Sequence, residues 1–114
     1  MHWVNNYIGK PYSFTDGYNC ASLVYTILTK EFNKNIPEIN NKNLKKIAKL
    51  TQFIKSPEHG AIAVMKSMEN HVGIWLDIDN GGILHAIENI GVIFQNKIHL
   101  RASGWLKINY YRIK

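Results

Sequence analysis

The chain has 114 residues, 46% of them hydrophobic, with a net charge of +6 and one cysteine. That length fits one domain over 1–114 with a core of its own, and the apolar content excludes a disordered chain. The charge comes from 12 Lys against 2 Arg; the Lys residues scatter apart from KNLKKIAK, and Arg, the main reader of bases, is scarce, so nucleic acid is not an expected partner.

No apolar run approaches the roughly 20 residues of a membrane span. The start, MHWVNNYIGKPY, lacks the basic region and apolar stretch of a signal peptide, so synthesis in the cytoplasm without self-export is expected. A lone cysteine forms no internal bridge and no cysteine-type zinc site, and the histidines lack ligand spacing, so no metal is expected. The thiol is then free or catalytic.

Residues 2–8 read as one helical turn ended by Gly9 and Pro11, and 12–19 as a loop. Within GYNCASLVYTIL, Asn19 is a good N-cap. Cys20, Leu23, Val24, Ile27 and Leu28 follow at helical spacing, so a helix is expected from Cys20 to about Phe32. Residues 41–55 read as a second helix, with Leu44, Ile47, Ala48 and Ile54 inward, stopped by Pro57 and Gly60. Strands are expected at AIAVM (61–65), HVGIWLD (71–77), ILHAI (83–87), GVIFQ (91–95), KIHL (97–100) and WLKINYYRI (105–113). DNGG (79–82) marks a hairpin turn, and pairing Leu76 with Ile83 across it would set Glu88 opposite His71. Helices first and strands later make an α+β pattern.

Cys20 sits where a helix begins. There the helix dipole favours a thiolate, and unpaired N–H groups can stabilise an oxyanion. The same position also suits an ordinary core cysteine, and location alone leaves both readings open. A nucleophile needs a base, and the base an orienting group. His2 lies near a terminus, His59 in the turn PEHG and His99 in a strand-like run. His71 and His85 stand on consecutive strands of one hairpin, a stronger pattern.

In order along the chain, YIGKPY, GYNCASLVYTIL, PEHGAIAVM, HVGIWLD and ILHAI resemble the NlpC-like cell-wall cysteine peptidases over about residues 3–90. The resemblance implies a compact papain-like fold, with the cysteine at a helix start packed on an antiparallel sheet. It implies Cys20 as nucleophile, His71 as general base and His85 as orienting residue, with Tyr12 at the oxyanion or substrate site and no cofactor. Glu88 or Asn89 is the alternative orienting residue, as in related wall amidases. The implied substrate is the peptide part of peptidoglycan. TKEFNKNIPE and the ending NYYR resemble short members from phage tails, which implies tail-tip partners and action on the wall after delivery. A non-catalytic tail-tip component of the same fold, a wall amidase and a thiol acyltransferase are the other readings. Where the family has Asp before the cysteine and Ser-Gly after it, this chain has Asn19, Ala21 and Ser22, and Gly60-Ala61 replaces Gly-Asp. Selectivity for a free stem-peptide amine is therefore not expected.

Overall fold

The computed structural model describes residues 2–13, 19–39, 44–66, 70–105 and 107–114. The middle of the expected 12–19 loop and the start of the expected second helix lie outside them. The chain opens with a 3-10 helix over Trp3–Asn6, whose N-cap His2 accepts from the Val4 N–H. Helix α1 spans Cys20–Lys30 and buries Leu23, Val24, Ile27 and Leu28, the stripe read from the sequence.

Two expected elements take another form. The second helix is short: α2 spans Leu44–Ala48, and strand β1 follows at once over Thr51–Ile54. The Thr51 hydroxyl donates to the Ala48 carbonyl at 2.9 Å, which closes the helix where no Gly or Pro announces a stop. Ile54 is buried as a strand residue, and Ala48 is exposed rather than inward. KIHL is likewise not a strand. It lies in helix α3, Lys97–Ala102, whose N-cap Asn96 accepts from the His99 N–H at 3.0 Å. Ile98 and Leu100 would share a face in a strand, but in the helix Ile98 is 76% exposed and Leu100 2%. Helix α3 therefore interrupts the expected run of strands.

The remaining strands are β2 (Ile62–Lys66), β3 (Asn70–Leu76), β4 (Gly82–Ile87), β5 (Gly91–Asn96) and β6 (Lys107–Ile113). The described strands form a six-stranded sheet in the order β1-β6-β2-β3-β4-β5, antiparallel at every pairing. The architecture is α+β, and the period-2 alternation of strand side chains gives the sheet two buried faces. On one face Ile62, Ile74, Leu76, Leu84 and Ala86 pack with α1. On the other, Ala63, Met65, Trp75 and Ile83 meet Leu100 of α3 and Trp105.

The β3–β4 register differs by one residue from the expected one. Trp75, not Leu76, lies opposite Ile83, and Leu76 pairs with Gly82. Asp79, Asn80 and Gly81 all take positive φ, so the connection is longer than a two-residue turn. A shift of one residue turns a strand's side chains to the opposite face. In the observed register His85 falls on the same face as His71; in the expected one it would not.

Candidate active site

Cys20 is the first residue of α1 and is half-buried. Asn19 and Ser22 hold that helix start in a capping box. The Asn19 Oδ1 accepts from the Ser22 N–H at 2.8 Å, and the Ser22 Oγ accepts from the Asn19 N–H at 3.0 Å. Such reciprocal bonds satisfy donors that a helix end otherwise leaves unpaired. The N–H groups of Cys20 and Ala21 take no part in this cap, so the donors nearest the thiol belong to the backbone of the first turn. Helix α1 packs on β3 and β4, the strands that carry His71 and His85, but against the face of Ile74, Leu76 and Leu84, whereas the two histidines share the face of Trp75 and Ile83.

The two imidazoles are joined directly. His71 Nε2 lies 2.8 Å from His85 Nδ1. Gly73 makes room for this approach: a Cβ there would come 2.9 Å from the His85 Cβ and 2.6 Å from Ile83. His85 is fully buried, and its other nitrogen, Nε2, lies 2.8 Å from the Gln95 Oε1. Gln95 in turn donates from Nε2 to the Ser103 hydroxyl at 2.8 Å. A buried imidazole with both nitrogens bonded escapes the penalty of an unsatisfied polar group. Trp105 completes the setting. Its ring stacks on His71, with centroids 5.2 Å apart and planes at 18°, and meets His85 edge-on at 6.4 Å. The backbone N–H of Trp105 donates to the Leu100 carbonyl, which ties the residue to the end of α3.

Burial governs the protonation of this pair. The His71 pKa falls from 6.5 to about 4, chiefly by desolvation and then by the neighbouring His85. Desolvation also lowers His85 to about 4, partly opposed by the bond to Gln95. Both shifts favour the neutral imidazoles at pH 7, which leaves one ring nitrogen of His71 able to accept a proton.

The structure brings His71 and His85 together, but among the described residues the Cys20 thiol makes no hydrogen bond to His71. Glu88 and Asn89 lie exposed in the β4–β5 turn, where they line a shallow cleft of about 350 Å³ with Pro11 and Tyr12. The Gly9 N–H donates to the Val92 carbonyl and the Val92 N–H to the Lys10 carbonyl, which holds the Tyr12 segment beside that turn. His59 serves a turn, its Nδ1 accepting from the Asp77 N–H at 2.9 Å, and His99 is exposed on α3. No His, Cys, Asp or Glu group able to hold a metal occurs among the described residues, and none of their helices is long and apolar enough to cross a membrane.

Sequence reasoning missed Gln95, Ser103 and Trp105. Gln95 was legible in part: Ile83 pairs with Gln95 and His85 with Ile93, so β4–β5 alternation sets Gln95 and His85 on one face. Ser103 and Trp105 depend on α3, which reads as a strand, and their placement had no local signal.

No curated protein and no solved structure matches the chain. The model of the NlpC/P60 family matches residues 9–109, nearly the whole chain, with the helix start at Cys20 and the strands of His71 and His85 inside the match. The chain belongs to the NlpC/P60 family.

Proposed function

We propose that this protein is a cysteine peptidase that cleaves peptide bonds in the stem or cross-link peptides of peptidoglycan. Membership of a family associated with cell-wall peptidase activity supports the substrate class. The observation that carries the chemistry is the hydrogen-bonded pair His71–His85 on strands against which the Cys20 helix packs.

In this reading the Cys20 sulfur attacks the peptide carbonyl carbon, and its proton passes to His71 Nδ1, the nitrogen not engaged by His85. The N–H groups of Cys20 and Ala21 stabilise the oxyanion, and Tyr12 contributes to the same site or to substrate binding. The C–N bond breaks, His71 protonates the leaving amine, and a thioester remains on Cys20. Water then attacks the thioester, giving its proton to His71. The carboxylic product leaves and the thiol recovers its proton. No step calls for a cofactor. Delivery by a phage-tail-like particle is the finer part of the proposal, supported by the likeness of TKEFNKNIPE and NYYR to tail-borne members.

A second reading is a non-catalytic tail-tip component that keeps the fold. One observation favours it: thiol and imidazole are not hydrogen-bonded among the described residues. Against it stands the general behaviour of catalytic hydrogen bonds, which are often long without substrate and tighten when it binds.

Digestion of purified wall material separates the two. The wild-type protein should release peptides with new amino and carboxyl ends, and Cys20→Ala none. His85→Ala should slow release at least about tenfold, while Glu88→Gln leaves it near wild type. No release by the wild type supports the second reading. Loss in Glu88→Gln with retention in His85→Ala would move the orienting role to the β4–β5 turn.

A further inference from the structure

We propose that Gln95 is a positioning residue that sets the tautomers of both histidines, and so decides whether His71 can accept a proton. The inference deepens the cysteine-peptidase reading and rests on it for its catalytic consequence. It starts from the bonds His71 Nε2···His85 Nδ1, His85 Nε2···Gln95 Oε1 and Gln95 Nε2···Ser103 Oγ, each 2.8 Å.

An amide oxygen only accepts, so the His85 nitrogen facing Gln95 Oε1 carries the proton. A neutral imidazole holds one N–H, which leaves His85 Nδ1 bare. That nitrogen can only accept, so His71 donates from Nε2. His71 Nδ1 is then bare and able to take a proton. The direction of every bond follows from the direction of one side-chain amide.

Reversing that amide reverses the whole chain. Gln95 Nε2 would then donate to His85, and the Ser103 hydroxyl, which can act in either sense, would donate to Oε1. His85 would donate to His71 Nε2, and His71 Nδ1 would carry the proton and could not serve as a base. Both arrangements satisfy every hydrogen bond, yet only the first is competent. Ser103 caps the C-terminal end of α3, so this helix anchors the far end of the chain of bonds. The role differs from that of an orienting residue touching His71: Gln95 acts through His85 and does not meet the reacting atoms.

The test is ring-nitrogen NMR on the full chain, with hydrolysis of a stem peptide measured in parallel. At about pH 8, where an ordinary imidazole is neutral, the wild type should show both His71 and His85 protonated at Nε2. Gln95→Leu removes the acceptor; His71 should become a tautomer mixture, and kcat should fall at least about tenfold with little change in KM. Gln95→Glu can only accept, so it should keep the wild-type tautomers and most of the activity. Wild-type His71 protonated at Nδ1 overturns the proposal. So does a folded Gln95→Leu with unchanged tautomers. Should Gln95→Leu fail to fold, the wild-type and Gln95→Glu spectra still decide it. If the wild type hydrolyses no wall peptide, the tautomer pattern continues to test Gln95 while the peptidase reading fails separately.

Discussion

At the scale of single residues, the decisive feature is a pair of histidines, His85 buried and His71 half-buried, with no carboxylate bonded to it among the described residues. Burial makes charge costly, and the pair answers by staying neutral. This has a consequence for stability. Both imidazoles titrate near 4 in the folded protein and near 6.5 when exposed. Between those values the unfolded chain binds more protons than the folded one. Stability from the pair is therefore complete above about pH 6.5 and is lost as pH falls towards about 4. Urea melts across that range should show this decline, and replacing both histidines by Gln should flatten it. A wild-type stability that does not change between those pH values would mean that burial does not shift the pair. Trp105 belongs to the same balance, since its ring covers His71.

Among the elements, the start of α1 was the most legible from sequence. Asn19 as N-cap and the stripe from Cys20 to Leu28 stand as read, because capping and helical periodicity are local. The Asn19 side-chain oxygen accepts from the Ser22 N–H, so it braces the helix that carries Cys20. Asn19→Ala should cost about 1 kcal/mol of stability in denaturant melts, whereas Asn19→Asp, an equally good cap, should stay close to wild type. Equal losses in both variants would show that the bond to Ser22 does not hold the helix start. The misread elements failed for non-local reasons. Thr51–Ile54 is a strand because β6 lies beside it, and Lys97–Ala102 is a helix because that conformation buries Leu100 in the cluster of Trp75 and Ile83. The turn between β3 and β4 was recognised but its length was not, and that single residue decided which side chain shares a face with His71.

For the whole molecule, the α+β architecture and the family were readable from motif order, since the matched stretch spans both the cysteine helix and the histidine strands. The Trp105–Gln95–Ser103 surroundings were not, because they arise only when α3 folds back onto the β3–β4–β5 surface. The proposed chemistry requires Cys20 and His71 to act as one unit, although α1 and the Trp105 side occupy different faces of the sheet. The most direct test is the rate at which iodoacetamide labels Cys20 in the folded protein near neutral pH, in the wild type and in His71→Ala. If His71 draws the proton from the thiol, labelling of the native wild type is rapid and His71→Ala slows it by about tenfold or more. Equal rates in the two proteins, or labelling that appears only on unfolding, would contradict the account.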